Sequence, residues 1–187
     1  MKISKQLTKY LLTAGVLIVF LSACGTKETI QSSANGEASM TSVGMMNKGE
    51  AAPSFSLSDL NGKQIRLADF KGKKVYLKYW ASWCSICLAG LEDLNTLAGQ
   101  ENGFQVVTIV TPKYKGEKSA KDFSEWFTKQ PYHNITVLLD EDGVWAKKFG
   151  LRGYPSSYYI GSDGILVKSS PGHAFNDMIT KTFKEIR

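Results

Sequence analysis

Residues 75–87 read VYLKYWASWCSIC, an apolar run that passes directly into two closely spaced cysteines. The run contains one charged residue, Lys78, and such a run is typical of a central strand buried on both faces of a sheet. After Cys84, apolar residues recur at helical spacing, at Cys87, Leu91, Leu94 and Ala98. Gly99 can end that helix. The sequence therefore predicts a buried strand followed by one helix, with Cys84 at the helix N-terminus.

Two cysteines separated by two residues have three interpretations. A zinc site needs about four ligands, and downstream of Cys24 only the isolated His133 and His173 accompany Cys84 and Cys87. A structural disulfide that closes so short a loop restricts the unfolded chain little and adds little stability. A cysteine at a helix N-terminus, by contrast, has its thiolate stabilised by unpaired N–H groups and the helix dipole. The spacing favours a redox-active dithiol, with the zinc site and the structural disulfide as alternatives.

Strand and helix patterns alternate on both sides of this segment. Upstream, Asn61-Gly62 lies between two apolar runs and predicts a β-hairpin. Downstream, the patterns predict strands over 106–110 and 135–139, helices over 119–129 and 144–149, a hairpin over 157–168, and a helix over 175–186. This order predicts an α/β fold in which a central mixed β-sheet is flanked by helices and preceded by an N-terminal β-hairpin.

The composition excludes several classes of protein. With 187 residues, 43% of them hydrophobic and 21% charged, the chain can fill a globular core, which excludes collagenous and wholly disordered proteins. The net charge of +6 falls to +3 once Lys2, Lys5 and Lys9 are set aside. This balance is ordinary, and no basic stripe with interleaved aromatic residues occurs, so we expect no nucleic-acid partner.

The first 23 residues have the pattern of an export signal. A basic start is followed by an uncharged, mostly apolar run over 10–23, which is shorter than the roughly 20 residues that span a bilayer. Leu21-Ser22-Ala23-Cys24 resembles the lipobox of bacterial lipoproteins, in which the cysteine thiol carries a diacylglycerol. An ordinary cleaved signal is the alternative. Both interpretations predict an extracytoplasmic protein. The lipoprotein interpretation also predicts that a lipid on Cys24 anchors the protein to the bacterial cell membrane.

The next segment is compositionally different from the rest of the chain. Residues 25–50 are rich in Ser, Thr, Gly, Ala and Glu, and they contain no aromatic residue and no sustained apolar period. This composition predicts a flexible tether. We therefore expect a signal peptide over 1–23, the lipidated cysteine and tether over 24–50, and one folded domain over 51–187.

Four motifs in that domain resemble those of the TlpA/ResA-like extracytoplasmic thioredoxins. They are WASWCSIC at 80–87, APSFSL at 52–57, LADFKGK at 67–73 and GYPSSYYI at 153–160. The resemblance covers about residues 51–187 and implies a thioredoxin-like fold. It also implies the activity of a thiol-disulfide oxidoreductase, which members of this family often carry out as lipoproteins or membrane-tethered proteins.

The resemblance assigns roles to individual residues. Cys84 is expected to be the nucleophile and Cys87 the resolving cysteine of a redox-active disulfide, with no further cofactor and no metal. Pro155 matches the family's cis-proline, and the backbone of the preceding Tyr154 is expected to pair with an extended substrate. Further substrate contacts are expected at Trp83, Ser85 and Ile86.

The chain departs from the family at three positions. Lys78 stands where thioredoxin has a buried acid that assists proton transfer. A buried lysine has a lowered pKa and can take a proton from Cys87; the alternative is a lysine that reaches solvent or pairs with a carboxylate. Gly90 stands where ResA-like proteins carry a glutamate, and Ile86 replaces the usual proline. These departures leave the proton acceptor and the direction of electron flow open.

The resemblance also implies partners. We expect a reductase that receives electrons from a CcdA/DsbD-type membrane protein and passes them to an exported client such as methionine sulfoxide reductase. A disulfide-forming oxidase and a cytochrome c maturation thioredoxin are alternatives of the same chemistry. A copper chaperone of the Sco type, with His173 as third ligand, and a non-catalytic binding lipoprotein are alternatives of other classes.

Overall fold

The computed structural model describes residues 47–187. The predicted signal peptide, Cys24 and the tether up to residue 46 lie outside the described residues. The predictions made for them stay predictions. Among the residues that are described, no helix combines the length and the apolar character needed to cross a membrane.

Within residues 47–187, eight strands form one sheet. The strands are β1 (Glu50–Ala51), β2 (Ser56–Asp59), β3 (Gln64–Arg66), β4 (Lys74–Tyr79), β5 (Phe104–Val110), β6 (Thr136–Leu139), β7 (Ser156–Ile160) and β8 (Ile165–Pro171). Their order across the sheet is β1-β8-β7-β4-β5-β6-β2-β3. β4, β5 and β6 run parallel to one another, whereas every other neighbouring pair is antiparallel.

Five α-helices complete the described fold. They are α1 (Ser85–Ala89), α2 (Leu91–Ala98), α3 (Ala120–Phe127), α4 (Val144–Lys148) and α5 (Asn176–Glu185). Short 3₁₀ helices cover Leu67–Phe70 and Glu141–Gly143. This architecture confirms the predicted mixed sheet with flanking helices. It also contains the predicted N-terminal hairpin, in which β2 pairs with β3 around a left-handed Gly62.

The central strand β4 divides the core into two clusters. Because successive side chains of a strand point to opposite faces, Tyr76 joins one cluster and Leu77 the other. The first cluster is completed by buried residues of α1, α2, α3 and α5, and the second by residues of α4 and the loop before β2. Lys78 shares the strand face of Tyr76, so its side chain enters the layer that lies beneath the cysteines.

The helix after Cys84 differs from the prediction. The expected single helix is two helices, α1 and α2, which meet at Gly90. Gly90 is buried, and its φ of −101° is a value that any residue can adopt. A Cβ at this position would lie 2.6 Å from Nδ1 of His173, so the imidazole occupies the space of a side chain. The periodic pattern of apolar residues continues through Gly90 and does not reveal this break.

Candidate active site

The two cysteines lie at the start of α1, where the chain leaves the central strand. They form a disulfide with their Cα atoms 5.2 Å apart. Cys84 is the N-cap of α1, and its sulfur accepts a hydrogen bond of 3.3 Å from the Cys87 N–H. The same N–H would stabilise a thiolate at Cys84 in the reduced protein. Cys84 is 6% exposed and Cys87 is fully buried, so a partner can reach only the first sulfur.

The surface around the disulfide is apolar. Trp83 and Ile86 are each 52% exposed, and Ser85 between them is also exposed. Large exposed apolar side chains next to a reactive group are typical of a binding surface. The three predicted contact residues in the cysteine segment therefore surround Cys84.

The loop before β7 faces the disulfide segment. The Tyr154–Pro155 peptide bond is cis. The Tyr154 ring meets the edge of Trp83 with a centroid distance of 5.7 Å, and its hydroxyl hydrogen-bonds to Thr111. Partial burial raises the pKa of the Tyr154 phenol, which therefore stays neutral at physiological pH. Three chain segments that are distant in sequence thus meet beside Cys84.

A buried carboxylate holds the turn that carries the cysteines. Glu117 accepts hydrogen bonds from the Ser82 N–H at 2.5 Å, the Ser82 hydroxyl at 2.6 Å and the Lys118 N–H at 2.8 Å. The Lys118 ammonium donates to the Ser82 oxygen at 2.7 Å. The network joins the β4–α1 turn to the loop after β5. The roles of Ser82 and Glu117 were not predictable from the sequence, because a polar contact between two loops has no periodic pattern.

Lys78 lies within the core, on strand β4, which leads into the turn that carries the cysteines. Its side chain is 1% exposed, and it belongs to neither of the ion pairs found within residues 47–187, Arg66–Asp69 and Lys121–Glu125. Burial lowers the pKa of Lys78 to about 8. The charge of Asp93 opposes this change. Within residues 47–187, the lysine thus does not extend to solvent and has no carboxylate at ion-pair distance.

His173 is a further titratable group close enough to Lys78 to be affected by its charge. Its ring lies against Gly90, and its Nδ1 is buried with no hydrogen-bond partner among the described residues. The His173 pKa is lowered, chiefly by burial and further by the charge of Lys78, with Asp93 opposing the change. Within residues 47–187, no group of three or more His, Cys, Asp or Glu side chains is placed to hold a metal ion.

The chemistry available at this site is thiol-disulfide exchange. A disulfide that begins a helix, with one reachable sulfur and one buried sulfur, is the arrangement of thioredoxin-like thiol-disulfide oxidoreductases.

Comparisons with known proteins agree with this class. The redoxin family matches residues 47–181. The thiol-disulfide oxidoreductase ResA of Bacillus thuringiensis is 30% identical over 143 residues, which cover 75% of this chain and 79% of the relative. An uncharacterized protein of Haemophilus influenzae is 50% identical over 118 residues, covering 63% of this chain and 76% of the relative. The exposed lipoprotein thioredoxin Etrx1 of Streptococcus pneumoniae superposes with a TM-score of 0.69 and 45% identity, covering 72% of this chain and 100% of the other.

The chain belongs to the redoxin family and is a TlpA/ResA-like thiol-disulfide oxidoreductase.

Proposed function

We propose that this protein is a membrane-anchored extracytoplasmic reductase. It takes electrons from a membrane protein of the CcdA/DsbD type and passes them to an exported client such as methionine sulfoxide reductase. The observation that carries the direction is the pair of residues between the cysteines, Ser85 and Ile86, which are neutral and exposed. Since no cation within the motif stabilises the reduced thiolate, the disulfide is not biased towards strong oxidation of other proteins.

The reaction consists of two exchanges. The Cys84 thiolate attacks one sulfur of a client disulfide, forms a mixed disulfide, and releases the other client sulfur as a thiolate. Cys87 then loses its proton and attacks the Cys84 sulfur, which releases the second client thiolate. Two electrons pass to the client, its two sulfurs gain protons, and the Cys84–Cys87 disulfide remains. The membrane donor reverses both exchanges and restores the dithiol.

Client binding is assigned to the apolar surface around Cys84. Trp83, Ile86 and Ser85 would contact the segment that carries the client disulfide, and Tyr154 would face the same segment across the disulfide. The edge contact between Trp83 and Tyr154 supports this assignment, because it joins the two sides of the surface. Pro155 fixes the loop that presents Tyr154.

A proton acceptor for Cys87 is needed because that cysteine is fully buried. Lys78 is one candidate for this proton transfer, as the sequence predicted. With a pKa of about 8, a fraction of Lys78 is neutral at neutral pH and able to take up a proton.

The lipid anchor at Cys24 is part of the proposal. The name of the Streptococcus pneumoniae neighbour, an exposed lipoprotein thioredoxin, supports it. For the 22 residues from 25 to 46, a Gly/Ser-like chain would give a reach of roughly 23–28 Å. That reach suits exchange with a membrane donor. A Cys24→Ala variant should be released from the membrane or stay unprocessed, and unchanged lipid labelling would contradict the anchor.

The proposed direction can be tested in living cells. Rapid acid quenching and alkylation should find Cys84 and Cys87 mostly reduced, because a reductase is kept reduced by its donor. Removal of the membrane donor should convert them to the disulfide. A pair that is mostly oxidised while the donor is present would favour a disulfide-forming oxidase.

A further inference from the structure

The buried side of the dithiol contains an unexplained polar atom. Nδ1 of His173 has no hydrogen-bond partner among the described residues, although it is buried. A buried polar group without a partner costs free energy, so its presence in a well-packed layer requires a reason. In the structure Cys87 is in the disulfide and has no proton to donate.

The position of His173 relative to Cys87 follows from Gly90. Gly90 lies three residues after Cys87, and its N–H donates to the Cys87 carbonyl at 3.2 Å. Residues three apart on a helix have Cβ atoms about 5–6 Å apart. Nδ1 of His173 lies 2.6 Å from the place of a Cβ at position 90. Position 90 is therefore a helical neighbour of Cys87, and the imidazole fills the space that a side chain at position 90 would take.

The chain holds the imidazole there from two sides. Asn176, at the start of α5, donates from Nδ2 to the Asp93 carbonyl at 2.7 Å and so ties the segment after His173 to α2. The Phe175 ring packs edge-on against the imidazole with a centroid distance of 4.8 Å. A Cβ at position 90 would displace the ring, which explains a glycine at a place whose backbone conformation does not require one.

We infer that His173 accepts the proton that Cys87 releases when the mixed disulfide is resolved. The inference rests on the proposed exchange cycle. The Cys87 thiol transfers its proton to Nδ1, directly or through one water, and the resulting thiolate attacks the Cys84 sulfur. The client thiolate leaves, and the imidazolium passes its proton to that thiolate or to solvent, so the imidazole is neutral again in the oxidised protein. When the donor reduces the disulfide, Cys87 leaves as a thiolate and takes up a proton through His173.

The surrounding charges keep the imidazole ready to accept a proton. From β4, Lys78 lowers the His173 pKa, in addition to burial, while Asp93 of α2 opposes this change. Tyr76 of β4 contributes a neutral phenol, which is hydrogen-bonded to Ser157 of β7 at 2.7 Å. The charged residues of α5 are exposed; they are Asp177, Lys181, Lys184 and Glu185. His173 is therefore neutral at physiological pH, with Lys78 as a group that tunes it.

The two exchanges can be followed separately with the chromogenic aromatic disulfide dithiobis(nitrobenzoate). The reduced protein releases one coloured thiolate when Cys84 attacks and a second when Cys87 resolves the mixed disulfide. In His173→Gln the second phase should slow by about 100-fold at pH 7, the scale of general-base catalysis. The first phase should change less than about twofold, as expected of a residue that assists only the second exchange.

The pH profile distinguishes proton transfer from a structural effect. In the wild-type protein the rate of the second phase should rise with pH and then become constant. The plateau should begin at a pH below 6.5, because the His173 pKa is lowered and the imidazole is neutral above it. In His173→Gln it should keep rising towards the pKa of a buried thiol. Lys78→Met should move the wild-type break to higher pH, because a positive charge near the imidazole is lost.

Two further variants provide an independent test and a control. Gly90→Ala displaces the imidazole while retaining His173, so it should also slow the second phase. This variant tests the inference independently if His173→Gln does not fold. His133→Gln changes the other histidine, which is exposed, and should leave both phases unchanged. A wild-type second phase and pH profile in His173→Gln or in Gly90→Ala would overturn the inference. Absence of the first phase in the wild-type protein would instead overturn the proposed function.

Discussion

At the scale of single residues, the two cysteines differ most in their exposure. Cys84 lies among the exposed Trp83, Ser85 and Ile86, whereas no part of Cys87 reaches solvent. This difference supports our proposal that Cys84 attacks a partner and that Cys87 resolves the mixed disulfide. The difference follows from their positions, since Cys84 caps the N-terminus of α1 and Cys87 lies within that helix, against the core.

A Cys87→Ser variant should therefore accumulate mixed disulfides with its physiological partners. The attack by Cys84 still occurs, but the product is no longer released because the resolving thiol is missing. Non-reducing electrophoresis of alkylated cell extracts measures these adducts, and the double variant with Cys84→Ser is the control. Adducts that form in Cys84→Ser alone would reverse the assignment.

Lys78 makes a measurable contribution to the pH dependence of stability. Its pKa is about 8 in the folded protein and 10.5 in the unfolded chain. Between these values the unfolded state binds more protons, so wild-type stability rises with pH, by about 3 kcal/mol in total. Below pH 8 the buried charge lowers stability by that amount.

A Lys78→Met variant should remove this cost. At pH 7 it should unfold with a free energy about 3 kcal/mol higher than the wild-type protein, and the difference should vanish towards pH 11. Urea denaturation at several pH values measures it. Lys73→Met, on the exposed end of the same segment, should change stability by less than about 0.5 kcal/mol. A Lys78→Met protein that is less stable at pH 7 would show that the ammonium is stabilised in the core.

At the scale of elements, the active site depends on a turn that has little regular structure of its own. The turn between β4 and α1 is held by Glu117, which lies on the loop between β5 and α3. Trp83 of this turn packs against the ring of Tyr154, which lies on the loop before β7. Three loops at one end of the sheet thus fix the position of Cys84.

Glu117→Gln should destabilise the fold by about 1.5–3 kcal/mol, because a buried N–H and hydroxyl lose a charged acceptor. The control is Glu125→Gln, which removes an exposed ion pair with Lys121 worth about 0.3–0.5 kcal/mol. Chemical denaturation of both variants compares the two losses. Equal small losses would mean that the Glu117 network does not hold the turn.

Local patterns predicted most of these elements. The apolar run before Cys84, the turn at Asn61-Gly62 and the hairpin over 157–168 each follow from a pattern within one short segment, which is what apolar runs and turn residues report. The break at Gly90 was not predictable in this way, since the apolar spacing continues across it. The contact between Ser82 and Glu117 was also not predictable, because it joins residues 35 positions apart.

At the scale of the whole molecule, the disulfide and the first described residue lie at opposite ends of the described domain. Asn47, the first described residue, hydrogen-bonds through its side chain to Asp163 at 3.0 Å and to the Arg187 carbonyl at 3.0 Å. Asp163 lies in the turn between β7 and β8, whereas the cysteines follow the opposite end of β4. In the proposed lipoprotein, the tether would therefore join the domain at the end away from the disulfide.

The reduction potential of the Cys84–Cys87 pair tests the proposed reductase most directly. Thioredoxin lies at about −270 mV and the strong periplasmic oxidant at about −120 mV, a span of about 7 kcal/mol for two electrons. Because Ser85 and Ile86 are neutral, we expect the potential of this protein to lie nearer the thioredoxin value. Equilibration of the purified domain with glutathione buffers, followed by alkylation of the free thiols, should give a potential close to about −270 mV. A value above about −170 mV would contradict the reductase and favour an oxidase.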